Sequence, residues 1–388
     1  MGRLSLPERY VLLGLRLGRH VDGLVDAYFG PPGPAERVAV EEPLAPRALA
    51  EEAALLQSQL PDGWLGDQLA GLQTVARVLA GEAIGYADEV ERCYGVRPVV
   101  TPDDAFAEAH ASLDELLPGR GPLVERRAEW QRRHTVPPGQ LLPALHDVVA
   151  YLRELAAAAF GLPVGESVVL EAMHDRPWWA FNYYRGNGTS RVVVNADIPT
   201  TGPDLVGLAA HEAYPGHHLE HAWKEQLLVR ERGLVEESIF LVPTPQAVVN
   251  EGIAVLGETF LLDEPARADL QSLLARHDVH YDAELAWQLE VALEPLRSVR
   301  VNAALQLHEE GRPAAEVQSY IERWALRGPD QAAQSLRFIS DPTWRAYAIT
   351  YSAGRDLCRA YVGDDPARFR TLLTEQVRVR DLRREPPS

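Results

Sequence analysis

The chain has 388 residues, 46% of them hydrophobic, enough to bury a substantial core in one large domain or two lobes. Its formal net charge of −18 argues against nucleic acid or an anionic membrane surface as a partner. The two cysteines, Cys93 and Cys358, are far apart and exclude a disulfide framework.

In chain order the first elements are helical. Residues 4–29 carry apolar side chains at three- and four-residue intervals and stop at Gly30-Pro31-Pro32-Gly33, which predicts one long helix. Pro7 and the charges around it break this opening before the core of a signal peptide could build. No later stretch approaches the roughly 20 apolar residues of a membrane span, so a cytoplasmic protein is expected. Residues 47–60, 66–81, 103–117 and 140–160 predict further helices rich in alanine and leucine, separated by proline or glycine. Residues 1–165 read as a helical lobe and 166–388 as a second lobe, or the two as one continuous domain.

Residues 166–199 change the period. Residues 167–172 and 190–195 are β-branched runs flanking a turn-rich segment, 182–189, and predict a small sheet or ribbon. Trp178, Trp179, Phe181, Tyr183 and Tyr184 cluster beside it, a pattern that more often fills a core than lines a pocket.

The segment that follows carries the chemistry. His211-Glu212-Ala213-Tyr214-Pro215-Gly216-His217-His218 leads directly to Glu220 and His221, so four of the twelve histidines lie between 211 and 221. Imidazole nitrogen with carboxylate oxygen is the donor set that suits zinc and its divalent neighbours. The usual His-Glu-x-x-His arrangement puts both rings on one helical face at i and i+4. Here position i+4 from His211 is Pro215, which has no N–H for the His211 carbonyl and clashes with it. The helix is therefore expected to break near Tyr214, with the second ligand beyond the break. His217 serves if the distortion takes up two residues, and is preferred. His218 is the alternative; on an unbroken helix it returns under His211 roughly 10 Å further along the axis.

A third ligand is expected from residues 250–258. Glu251 and Glu258 are seven residues apart and share a helical face, while Gly252, Ala254 and Gly257 allow another helix to approach closely. A carboxylate in so apolar a segment needs a partner, and coordination by Glu251, with Glu258 as a weaker candidate, supplies one.

With these residues in view, the chain resembles the bacterial domain-of-unknown-function family 885, whose members carry His-Glu-x-x-Pro-Gly-His-His followed by a Glu-Gly-x-Ala helix. That family is distantly similar to zinc peptidases of the gluzincin type, including thermostable carboxypeptidases. The likeness covers about residues 165–375. It implies one zinc ion per chain held by His211, His217 or His218, and Glu251, with Glu212 as general base. Arg300 and His308 fit the family's Arg…Leu-His pattern, although Ala304 stands where an aspartate is expected. Tyr351-Ser352-Ala353-Gly354-Arg355 resembles its Tyr-x-x-Gly-Arg/Lys element. The resemblance implies Tyr351 and His308 as donors to the reacting carbonyl oxygen and Arg300 as the anchor of a substrate carboxylate. It also makes residues 192–195 a candidate edge for aligning an extended peptide.

The expected architecture is mainly α, a large helical protein with a small sheet or ribbon next to a zincin-like metal-binding helix. The expected function is zinc-dependent hydrolysis of amide bonds in short peptides. Two imidazoles and a carboxylate leave a coordination position for water, and Glu212 takes the water's proton and passes it to the leaving amine. The alternatives are hydrolysis of a non-peptide small molecule with the same ligands, and a non-catalytic helical binding protein with a vestigial site. An intact Glu212 disfavours the last, because a purely structural ion needs no general base.

Overall fold

The computed structural model describes residues 4–60, 62–175 and 178–383; the start of the opening segment and the end of the charged tail lie outside them. The protein is mainly helical. Its first part holds helices α1 (Leu6–Leu17), α2 (Pro32–Val40), α3 (Pro46–Gln59), α4 (Trp64–Leu79), α5 (Tyr86–Tyr94), α6 (Asp103–Leu116), α7 (Leu123–Arg133) and α8 (Leu141–Phe160), with strand β1 (Val25–Tyr28) after α1. Strands β2 (Ser167–Met173), β3 (Ala180–Tyr184) and β4 (Thr189–Asn195) follow. Helices α9 (Gly202–Glu212) and α10 (His217–Lys224), strand β5 (Ile239–Leu241) and helix α11 (Pro245–Leu261) then carry the histidine and glutamate motifs. Helices α12 (Glu264–Ala275), α13 (Ala283–Leu293), α14 (Val299–His308), α15 (Ala314–Trp324), α16 (Pro329–Ser340), α17 (Ile349–Val362) and α18 (Pro366–Thr374) complete the chain. No helix among the described residues is long and apolar enough to cross a membrane.

The main apolar core joins both halves of the sequence: Leu145 and Leu152 of α8 pack in the same cluster as Val192, Leu205, Val248 and Phe369. A second cluster lies under the N-terminal helices and includes Leu13, Leu17, Leu49 and Leu69 with Ile239 and Leu241 of β5.

Two elements differ from the sequence reading. The helix expected over 4–29 ends at Leu17, and after a turn at Gly23, with φ at +76°, the chain enters β1. The apolar spacing that suggested one helix serves two elements, since Leu13, Leu17 and Leu24 are all buried in the second cluster. Strand β1 pairs antiparallel with β5, and the register slips by one residue between Val25 and Ala27. Asp26 is thus the extra residue of a β-bulge, a device that re-aims a side chain.

The second difference concerns the sheet, whose order is β2-β4-β3. Strand β4 pairs parallel with β2 and antiparallel with β3, so residues 192–195 are spent on both sides and offer no edge to a peptide. The aromatic stretch supplies a strand, β3, where a turn was expected from residue 182. The turn itself is confined to Gly186, Asn187 and Gly188, all with positive φ.

Helix α11 reaches the centre of the molecule because its small residues let other backbone in. A Cβ on Gly252 would overlap the carbonyl oxygen of Gly354 in α17 and lie 2.5 Å from the Cys358 sulfur. A Cβ on Gly257 would lie 2.5 Å from Pro215. Close packing of this kind tolerates no added methyl without a shift of backbone. Gly252→Ala is expected to cost about 1–3 kcal/mol, read as a lower urea unfolding midpoint. Gly33→Ala, in a helix with nothing within 4 Å of the added atom, is the matched control and should leave the midpoint unchanged or raise it.

Candidate metal centre

Helix α9 starts at a reciprocal cap between Thr201 and Asp204 and runs regularly to Glu212. From there the number of residues spanned by each hydrogen bond grows in steps. Ala213 N–H donates to Ala209 O at 3.0 Å, Tyr214 N–H to the same carbonyl at 3.2 Å, and Gly216 N–H to Ala210 O at 2.9 Å. The span grows from four residues to six, so the break takes up two residues before α10 begins. Gly216 stands where any Cβ would overlap the carbonyl oxygen of His211. The chain doubles back at this glycine, bringing His217 to the side of His211.

Glu251 projects from α11 to the same point. His211 Nε2 and His217 Nε2 are 3.1 Å apart, and each lies 3.6 Å from a Glu251 carboxylate oxygen. Donors arranged tetrahedrally at zinc–ligand distances of about 2.0–2.1 Å stand ~3.3 Å from one another. The three groups therefore have the spacing of ligands to one small ion. Glu251 is 4% exposed, and its Oε2 has no hydrogen-bond partner, an expensive state for a buried carboxylate oxygen unless a cation satisfies it. Its other oxygen accepts from the Tyr347 hydroxyl at 2.6 Å, which fixes the rotamer. Burial and the neighbouring His221 push His217 down to about 3, and burial with His217 pushes His211 well below its usual range. Both rings are neutral, the form that ligates.

A cavity of about 110 Å³ opens onto this cluster. Glu212 lines it beside the three donors, and burial, then the charges of Glu251 and Asp26, raises its carboxyl to about 8. The Asn182 side chain donates to the Glu212 carbonyl at 2.6 Å, tying β3 to the last turn of α9. Phe181 and Asn182 also line the cavity, so the strand beside the site is β3. Trp344, Tyr347 and Tyr351 line it as well.

The remaining candidates lie elsewhere. His218 is fully buried on the other side of α10, with Nε2 2.8 Å from Glu166 Oε2 and Nδ1 2.9 Å from Ser190 Oγ. Both of its nitrogens are used, and it does not reach the donor cluster. Glu258 is two turns along α11, against Gly207 and outside the cavity lining. His308 stacks on Tyr86, its Nε2 lies 2.6 Å from the Ile339 carbonyl oxygen, and it does not line the cavity. Arg300 does not line the cavity either; its guanidinium sits over Phe338 at 5.0 Å and behind the Tyr351 ring at 5.9 Å. Ala304 is fully buried in α14. Tyr347, Asn182 and Asp26 are site residues that the sequence reading missed. For Tyr347 a signal existed in its spacing, one helical turn before Tyr351.

The fold and the donor set thus define a mainly helical protein with a His-His-Glu cluster at the wall of a small cavity. No family model matches the chain, and no curated protein does. Among solved structures it is similar to one from Colwellia psychrerythraea described as a "putative lipoprotein", with 17% identity and a TM-score of 0.54 over 87% of this chain. The chain spans 61% of that protein's length, and the likeness is one of fold. A second, from Shewanella oneidensis and described as a "putative lipoprotein of unknown function", has 12% identity and a TM-score of 0.48, covering 99% of this chain and 73% of that one.

The two adjacent histidines separate cleanly by experiment. His217→Ala should abolish binding of one zinc per chain, measured by elemental mass spectrometry after zinc loading and desalting. His218→Ala should keep the zinc but lose roughly 3–5 kcal/mol of stability, because Glu166 is left with one fewer buried partner. The reverse pattern would exchange their roles.

Proposed function

We propose that the chain is a zinc-dependent hydrolase, best read as a metallopeptidase acting on short peptides, and that its octapeptide reflects kinship with the domain-of-unknown-function family 885. The observation that supports this most directly is the convergence of His211, His217 and Glu251 donors within 4.8 Å of one another, with Glu212 in the same cavity. A divalent ion held by these three groups would acidify a water and polarise a substrate carbonyl. Glu212 is the proton acceptor. It follows His211 directly in the chain, it is not spent on an ion pair, and its raised affinity for protons suits it to take one and return it to the leaving amine. Tyr347 keeps the Glu251 carboxylate in its ligating orientation. Tyr351 is the remaining hydroxyl donor of the cavity wall and is suited to the carbonyl oxygen as negative charge builds there. The free edge of β3 is available to main-chain hydrogen bonds from an extended substrate, the role that the sequence suggested for β4.

The test is hydrolysis of a di- and tripeptide library by the zinc-loaded protein, followed by mass spectrometry. Glu212→Gln should retain zinc and lose roughly 10²–10⁴-fold in kcat. Tyr351→Phe should lower kcat by about 10²-fold with little change in KM, since its hydrogen bond strengthens only in the transition state. Undiminished turnover by Glu212→Gln would rule this mechanism out.

A further inference from the structure

One cavity residue has no place in the reaction just described. Asp26 comes from β1, far from the motifs in sequence, and lines the cavity together with His211, Glu212, His217 and Glu251. It gets there through the β-bulge, the irregularity at which a strand can turn a side chain out of its alternation. No hydrogen bond or ion pair satisfies its carboxylate among the described residues, and burial raises it to about 7. Its charge is felt by Glu212, Glu251, Tyr347 and Tyr351, which places it within range of the reacting centre.

The balance of charge makes Asp26 informative. Among the described residues no lysine or arginine lines the cavity. Glu251 is assigned to the ion and Glu212 to the proton, which leaves Asp26 as the cavity carboxylate without a partner among the described residues. His221 is 7% exposed, lines the same cavity and makes ring contacts but no hydrogen bond among the described residues. Trp344, Tyr347 and Tyr351 line the same cavity. A carboxylate in a pocket shared with aromatic rings is a receptor for a cation, because ring faces add to the attraction while excluding water.

Resting on the hydrolase reading, we infer that Asp26 binds an ammonium group of the substrate, and that the site selects amides bearing a free amine next to the bond it cleaves. The small cavity suits the α-ammonium of a peptide's first residue; a lysine side chain offers the same chemistry. The expectation that a terminal carboxylate anchors the substrate finds no cationic partner among the described residues of the cavity lining, which does not include Arg300.

The probes are alanine hydroxamate, N-acetyl-alanine hydroxamate and Nα-acetyl-lysine hydroxamate, titrated calorimetrically into the zinc-loaded full chain. Their shared hydroxamate binds the ion and is not turned over. Alanine hydroxamate should bind about 10- to 100-fold more tightly than its acetylated form, the worth of one charge-assisted hydrogen bond. Asp26→Asn should erase that preference while keeping wild-type zinc content. Tight, Asp26-dependent binding of the lysine probe instead would assign the ammonium to a side chain. Equal binding of the two alanine probes, a preference that survives Asp26→Asn, or loss of zinc from that variant would each overturn the inference. Peptide turnover by the wild type is read separately, so amine-selective binding without hydrolysis would defeat the hydrolase reading alone.

Discussion

Pro215 occupies the place one turn beyond His211, where it can neither donate to the His211 carbonyl nor ligate, and the chain between α9 and α10 is built around that constraint. The two residues taken up by the break set the distance between the imidazoles, and Gly216 lets the backbone cross the end of α9. Gly257 of α11 then accepts the Pro215 ring, while Gly252 accepts α17 one and a half turns earlier. The two small residues of α11 thus receive the histidine segment and the tyrosine helix, and Glu251 lies between them. A larger residue at either position would separate Glu251 from the histidines or Tyr347 from Glu251. The donor cluster is a consequence of backbone packing before it is a matter of side-chain choice.

What separates structural from reactive polar groups is satisfaction. On the far side of α10, Glu166 accepts from Tyr214, His218 and Arg153, and the network holds α8, β4 and α10 together. Along the same helix Lys224 donates to Glu220 at 2.6 Å, and Asn250 donates to the other Glu220 oxygen, pinning α10 to α11 just before Glu251. Lys224 is the only lysine of the chain and is 5% exposed. A compact ammonium fits this enclosed position, whereas the wide guanidinium used everywhere else would need more donors satisfied. Both networks are complete, so they orient and rigidify. In the cavity between them, by contrast, the buried Glu251 Oε2 lacks a hydrogen-bond partner among the described residues.

Much of this was legible in the sequence because it depends on local chemistry. The octapeptide implies a helix with a two-residue distortion, and the proline and glycine dictate it whatever the surrounding fold. Glu251 was legible because a carboxylate among glycine and alanine demands a partner. Strand β1 was not, since its pairing with β5 spans more than two hundred residues and its apolar side chains continue the rhythm of α1. With the strand hidden, Asp26 read as one more polar residue on a helix. Strand β3 was hidden differently: its aromatic side chains announced packing, but they do not all face one way. Phe181 faces the cavity, whereas Tyr184 is buried and donates to Glu225.

The C-terminal motif illustrates why a pattern of residues does not translate directly into a set of reactive groups. Tyr351 faces the cavity, Gly354 is the point where α17 crosses α11, and Arg355 pairs with Glu294 at 2.5 Å. One helical segment thus supplies a donor, a packing contact and a brace, all of which the same site requires. Arg300 belongs to this logic. It touches no cavity space, yet its charge beside the Tyr351 ring opposes the rise in phenol pKa caused by burial and Glu251. A phenol whose proton is more readily shared is a stronger hydrogen-bond donor to a developing oxyanion. Under the proposed hydrolase reading, the arginine that the resemblance marked as a contact to the substrate's charge would act instead through the tyrosine.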